Sequence, residues 1–337
     1  MKEEGFIVSV GPHIQQKESV QRMVYGFIIA LLPAAALGVY CFGKSALILI
    51  LSCVISAVIF DAILGRLIEK RDTVKDGDAI LTGLILALIL PATTPWWAGV
   101  IGVFIALLVG KHVYGGYGSN PFNPPLIGWA ALQLSFPSHL DVSGSILGIV
   151  KTEGISALVE DYSYFSENYG IESLGNLGAK IKLFIHALLG WKPLPGEVLV
   201  GCVGQICALA IIIGAVFLLW KRYISWHIPV SFLVTVIVFS LVFHKGEYLF
   251  PFTTVQLLAG STLLAAFFVA TDPVTTPLTG AGMIVFGCGA ALIAMIGRFW
   301  GKWVDPTYFG ILVMNCFTPL IDRILKPKPF GRIKSRA

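Results

Sequence analysis

Of 337 residues, 56% are hydrophobic and only 13% are charged, and the mean hydropathy is +0.82. A soluble globular chain carries about 25% charged residues. A water-soluble enzyme is therefore excluded, and a polytopic membrane protein with room for one membrane domain and one small insert is indicated. The net charge of +5 comes from short Lys/Arg patches without interleaved aromatics, which marks membrane topology and excludes nucleic-acid binding.

A spanning helix needs about 20 apolar residues. Met1–Gln21 is polar and reads as a cytoplasmic lead-in, with no signal peptide. Residues 22–136 form a first group of spans: Val24–Cys41, Ser45–Leu67, a short Asp78–Leu90, Trp96–Gly110 and a short Leu126–Phe136. Trp96 and Trp97 suit an interface belt. Residues 137–196 change character, with Glu153, Glu160, Asp161, Glu167 and Glu172 beside Tyr162, Tyr164 and Tyr169. Such a length exceeds an ordinary loop and predicts an extracytoplasmic insert with an amphipathic helix. Residues 197–324 supply Val198–Trp220, Ile228–Phe243, Thr254–Ala270, Met283–Ile296 and Tyr308–Ile321, and 325–337 is a basic tail. The total is about ten helices. Under that count Lys17, Arg22, Arg66, Lys70, Arg71, Lys75, Lys221, Arg222 and the tail share one side, predicting both termini in the cytoplasm. Arg298 and Lys302 fall on the wrong side.

The chain is organised around Ala270-Thr271-Asp272-Pro273-Val274-Thr275-Thr276-Pro277, a polar break between two apolar runs. Pro273 and Pro277 lack the N–H a helix needs, so the helix entering here stops or unwinds. Unwound backbone survives at membrane depth only when buried in protein or lining a cavity. An earlier stretch, Pro91-Ala92-Thr93-Thr94-Pro95, echoes it. Each break is followed by an apolar run, a basic Gly-containing turn and an Asn/Asp-Pro pair: Lys111 to Asn120-Pro121 in one case, Arg298 to Asp305-Pro306 in the other. Two halves with matching interrupted helices predict an all-α fold of two inverted five-helix repeats, with the site where the halves meet.

Three groups of residues invite chemistry. In Gly115-Gly116-Tyr117-Gly118-Ser119-Asn120-Pro121-Phe122-Asn123 the glycines let backbone approach a ligand. Asn120 and Asn123 suit either the edge of a polar heterocycle or the capping of a turn and helix. Asp272, with Thr275 and Thr276, suits a hard cation at the helix break, a cap on the following helix, or a flavin contact. Asp78 and Asp305 are most simply helix N-caps, and Asp78 is the second intramembrane acid considered for ion coupling. The six cysteines (Cys41, Cys53, Cys202, Cys207, Cys288, Cys316) have no CxxC spacing and read as helix-packing residues. His13, His112, His139, His186, His227 and His244 show no pair at helical spacing and read as interfacial. Without a Walker loop, nucleophile elbow or HExxH, no catalytic residue and no metal site is assigned.

Together, Gly115–Pro125, the Ala-Thr-Asp-Pro break and the Asp78–Gly83 lead-in resemble the D-type membrane subunits of Rnf complexes, a family similar to the B-type subunits of the sodium-pumping NADH:quinone reductase. The resemblance spans essentially the whole chain. It implies a urea-transporter-like scaffold in a prokaryotic inner membrane. It also implies a non-autonomous component of a translocase in which electron transfer between ferredoxin and NAD⁺ drives Na⁺ or H⁺ transport through flavins. Partners would be other membrane and peripheral subunits, including flavin- and iron–sulfur-carrying ones. By the same resemblance, Asn120 and Asn123, with Gly115, Gly116, Thr275 and Thr276, would hold a non-covalent riboflavin. The family's covalent FMN is carried on a threonine of a motif that here reads Asp141-Val142-Ser143-Gly144-Ser145-Ile146-Leu147. The acceptor slot holds Ile146, which has no hydroxyl, so no covalent FMN is expected there. A one-residue gap would bring in Ser145, and Ser143 or Thr152 are further hydroxyls. The alternative function is a stand-alone channel or transporter for a small polar solute on the same scaffold.

Overall fold

Ser19 starts the first described helix: its hydroxyl accepts from Arg22 N, the usual N-cap arrangement. The computed structural model describes residues 19–69, 76–142, 188, 202–244, 249–258 and 260–326. In order, the helices are α1 (Val20–Phe42), α2 (Lys44–Leu64), α3 (Asp78–Ile89), α4 (Trp96–Gly110), α5 (Pro124–Ser135), α6 (Ala208–Trp220), α7 (His227–Phe243), α8 (Leu249–Leu258), α9 (Thr262–Val269), α10 (Gly280–Trp300) and α11 (Thr307–Ile324). Among the described residues there is no strand, only an isolated bridge between Pro91 and Cys202. Among the described residues, four helices are long and apolar enough to cross a membrane, and a fifth span is formed if α8 and α9, bent by 50°, count as one.

The outward faces are built for lipid as the solvent. Ile48, Leu51, Ile55, Ile59 and Ile63 recur every three to four residues along α2 and stay about half exposed. Val230, Val234, Val238 and Leu241 do the same on α7. Stripes this long and apolar would be aggregation sites in water. With family membership established below, they make the protein a multi-pass membrane protein.

Inward faces close on small residues. A Cβ built on Gly128 of α5 would stand 2.4 Å from the Gly102 carbonyl of α4, and one on Gly310 of α11 would stand 2.5 Å from the Ala290 carbonyl of α10. Only glycine permits these backbone approaches, the usual device for packing helices that share no hydrophobic driving force. Within the first half α2 packs on α3 and α4, and α4 on α5; within the second, α7 packs on α8 and α10, and α10 on α11. The halves join through α1 against α6 and α5 against α11.

Several boundaries differ from the sequence reading. The helix expected over Val198–Trp220 begins at Ala208 within the described residues. Ahead of it, Val203 N and Gly204 N donate to the carbonyls of Leu90 and Leu88 (3.1 and 2.9 Å), so this segment caps the end of α3. The helix expected over Thr254–Ala270 is broken near Gly260, whose φ is +75, and finishes in a π turn over Ala265–Val269. Asp78 does not cap α3. The N-cap is Gly77, at φ +76, and Asp78 is the first helical residue. The expected insert at 137–196 lies outside the described residues except for Pro137–Val142 and Leu188, and so do Ser143, Ser145, Ile146 and Thr152.

Candidate functional site

The polar break of the second half and the glycine-rich turn of the first come together. The π turn ends with Ala270 N bonded to Ala265 O (2.7 Å). Such turns recur at functional sites, and in a continued helix the Val269 carbonyl would face Pro273, which has no N–H to give it. Asn123 Nδ2 donates to that carbonyl at 3.0 Å, across 146 residues of sequence. Asn123 occupies the N-cap position of α5 without making a side-chain cap. Pro124 follows it at the helix start, where its missing N–H does no harm.

A cleft opens between α1, α3, this turn and the break. Met23, Val24 and Phe27 form one wall, Leu81, Thr82 and Ile85 a second, and Phe268 a third; Asp78, Tyr117, Asn123 and Asp272 add polar groups. The cleft is open to its surroundings and has about 30 Å³ of room for water-sized centres. That is room for about two waters or a small ion.

Asp272 stays within its own turn. Its Oδ2 accepts from Thr275 Oγ1 at 3.0 Å. The following helix is capped instead by Thr279, whose hydroxyl accepts from Gly282 N, so Asp272 does not cap it. The Thr275 carbonyl accepts from Thr318 Oγ1 of α11. Neither Thr275 nor Thr276 lines the cleft. Asn120 is committed locally: its Oδ1 accepts from Gly118 N and its Nδ2 donates to Phe122 O. Gly115, Gly116 and Gly118 all have φ near +100, as this turn requires, and Gly115 and Gly118 face open space.

Beside the cleft sits a charge cluster that the sequence reading missed. Lys111 Nζ donates to Asp61 Oδ1 at 2.8 Å, and His112 Nε2 is 3.0 Å from the same oxygen. Lys111 Nζ also stands 3.1 Å from Asp78 Oδ2 but off the line a hydrogen bond needs, so this buried oxygen has an ion-pair neighbour and no hydrogen-bond donor. Asp61, Lys111 and His112 are all at most 1% exposed. His112 is thus no interfacial residue. The missed signal was Asp61, the sole acid inside the apolar run Ser45–Leu67, because an ionisable residue in a span is a functional candidate by default.

The second half carries a matching device. Arg298, at the end of α10, donates to Gln256 O and Oε1 (both 3.0 Å), to Thr307 Oγ1 (3.0 Å) and to Asp305 Oδ1 (3.1 Å). Asp305 also accepts from Ser261 N and Oγ, tying the break between α8 and α9 to the start of α11. It receives Thr307 N as well, but the N-cap of α11 is Pro306, so Asp305 stands one residue ahead of the expected cap position. Arg298 is buried and paired, which explains why it defies the topology pattern.

The model of the NQR2, RnfD, RnfE family matches residues 7–331. The chain is 37% identical to the D component of the Na⁺-translocating ferredoxin:NAD⁺ oxidoreductase complex of Acetobacterium woodii, covering 100% of this chain and 99% of that one. It is 35% identical to the D component of the proton-translocating ferredoxin:NAD⁺ oxidoreductase complex of Clostridium ljungdahlii, covering 98% of each. It is also 35% identical to the D component of the ion-translocating oxidoreductase complex of Halorhodospira halophila, covering 96% and 95%. The protein belongs to the NQR2, RnfD, RnfE family.

Proposed function

We propose that the chain is the D-type membrane component of an ion-translocating ferredoxin:NAD⁺ oxidoreductase complex, and that it contributes a flavin relay and an ion-coupling site at one cleft. The observation that carries this reading is the cleft at the junction of the Asn123 turn and the broken helix, where an aromatic and aliphatic lining meets an amide, a phenol and two carboxylates. Apolar walls with a few convergent polar groups are what ligand pockets are made of. Tyr117, Phe268 and Asn123 suit a riboflavin ring, and Asp78 and Asp272 suit an ion. A bound flavin supplies one-electron carriage, while the protein orients the ring and tunes it by hydrogen bonding. Asn123 is the residue to hold the ring edge. Asn120, Gly115 and Gly116 shape the turn behind it, and Thr275 and Thr276 hold the break.

The chain comprises ten spans in two inverted five-helix repeats, with both termini cytoplasmic in an inner membrane. Three features support this: the parallel packing order of α2–α5 and α7–α11, the paired Gly-to-carbonyl contacts, and a buried cation after each break. Ferredoxin and NAD⁺ sites belong to other subunits, which carry flavin and iron–sulfur centres of their own.

Extractable flavin and intact mass on the purified complex test the reading. Wild-type complex should release riboflavin on denaturation. Asn123→Leu should lower that yield at least about tenfold, the equivalent of some 1.4 kcal/mol, with the make-up of the complex unchanged. No FMN adduct should appear on this chain, and one that vanishes in Ser145→Ala would assign Ser145 as its acceptor. A chain that carries no flavin and speeds solute flux in liposomes would replace the relay with a channel.

A further inference from the structure

Asp61 and Asp78 lie on different helices, yet they share one buried ammonium. Asp61 Oδ1 receives Lys111 Nζ in a formed hydrogen bond at 2.8 Å and is approached by His112 Nε2 at 3.0 Å. Asp78 Oδ2 has the same ammonium at 3.1 Å, poorly aligned, and no hydrogen-bond donor, although its side chain is 9% exposed. This oxygen belongs to a residue of the cleft wall, and Asp272 lines the same cleft. Lys111 therefore holds Asp61 by a short, aligned hydrogen bond and Asp78 by a longer, poorly aligned ion pair.

We propose that Lys111 is a tethered counter-ion that competes with a small alkali cation, Na⁺ or one of its size, for Asp78. With the cleft free of cation, the ammonium bridges Asp61 and Asp78. A cation entering the cleft that Asp78 and Asp272 line takes over Asp78, and the ammonium remains on Asp61. No bond is made or broken beyond the ion pair, and the net charge beside α3 changes by the charge of the entering ion. Lys111 reaches this position because α4 ends there. Lys111 is its C-cap residue, and the tight turn His112–Tyr114 follows, so the stem of Lys111 lies inside the bundle. Oxygen ligands and a volume of about two waters fit a hard cation with part of its hydration shell. The inference rests on the assignment of Asp78 and Asp272 to ion coupling.

Competition of this kind has a signed consequence, because coupling between two ligands of one site is reciprocal. The purified complex is titrated with NaCl, ionic strength being held constant with choline chloride, and its melting midpoint is followed; a bound ion raises the midpoint in proportion to its occupancy. Lys111→Met should lower the Na⁺ concentration for half effect by about fivefold or more, the smallest coupling usually called significant. Asp61→Asn should raise it, since the ammonium then has Asp78 as its sole carboxylate of the pair. Opposite signs from the two variants cannot come from general destabilisation. An unchanged or raised half-effect concentration in Lys111→Met overturns the competition. If that variant does not assemble, a lowered or unchanged value in Asp61→Asn overturns it alone. A Na⁺ response that survives Asp78→Asn and Asp272→Asn, or a response to pH with none to Na⁺, removes the ion site itself and so the reading beneath.

Discussion

Arg298 offers the sharpest check on how the second half is held together. Its guanidinium is 3% exposed and makes four hydrogen bonds, two to Gln256 and one each to Thr307 and Asp305. Arg298→Met keeps the aliphatic stem and removes all four, leaving Asp305 buried without its cation. Breaking a buried ion pair from one side costs about 3–5 kcal/mol. Asp305→Asn should cost less, about 1–3 kcal/mol, because Arg298 retains Gln256 and Thr307. If the two groups act as a pair, Arg298→Met with Asp305→Asn should be less destabilised than the sum by about 1–3 kcal/mol, the coupling expected of residues in one network. Denaturant unfolding of the solubilised complex, followed by protection of this chain from protease, measures each corner of the cycle. Strict additivity would show that Arg298 acts through Gln256 and Thr307 without Asp305, and would refute the claim that the pair joins the α8–α9 break to α11.

Two further expectations follow from single features. Burial pushes the Asp305 carboxyl up, but the charge of Arg298 and hydrogen bonds from Ser261 and Thr307 outweigh it and hold the group at about 2. A depressed value contributes stability that is fully present above the unfolded carboxylate value of about 3.9 and is lost as pH falls toward 2. An acid melt should therefore show a component between about pH 4 and 2 that is absent in Asp305→Asn. At the helix crossings, Gly128→Ala places a methyl 2.4 Å from the Gly102 carbonyl and Gly310→Ala one 2.5 Å from that of Ala290. Each should cost about 1–3 kcal/mol or more by overpacking, against about 1 kcal/mol of strain for Gly43→Ala, where φ is +67 and no atom is near. Equal yields of the three variants in membranes would contradict the packing described.

The two breaks were legible because proline writes backbone restrictions into sequence: Pro91, Pro95, Pro273 and Pro277 bracket non-helical chain. Membrane character was legible from composition alone. The bend near Gly260 and the start of α6 at Ala208 were not, because an apolar run looks the same whether its backbone is helical or crosses under a neighbour. The two asparagines of the glycine-rich turn read alike in sequence but are unlike in the fold: Asn120 is spent on its own turn and Asn123 reaches the other half. The Lys111 cluster escaped because its members are 50 residues apart, and only packing of α2 on α4 brings them together. Arg298 looked like a topological exception for the same reason, its partners Gln256 and Asp305 lying on other elements.

Each broken helix is closed by the opposite half of the chain. The carbonyls of Leu88 and Leu90, at the first break, are taken by Gly204 and Val203; the carbonyl of Val269, at the second, is taken by Asn123. A freed carbonyl at membrane depth is destabilising unless paired, so neither break is stable without the other half, and the junction is fixed by the same bonds that make the breaks tolerable.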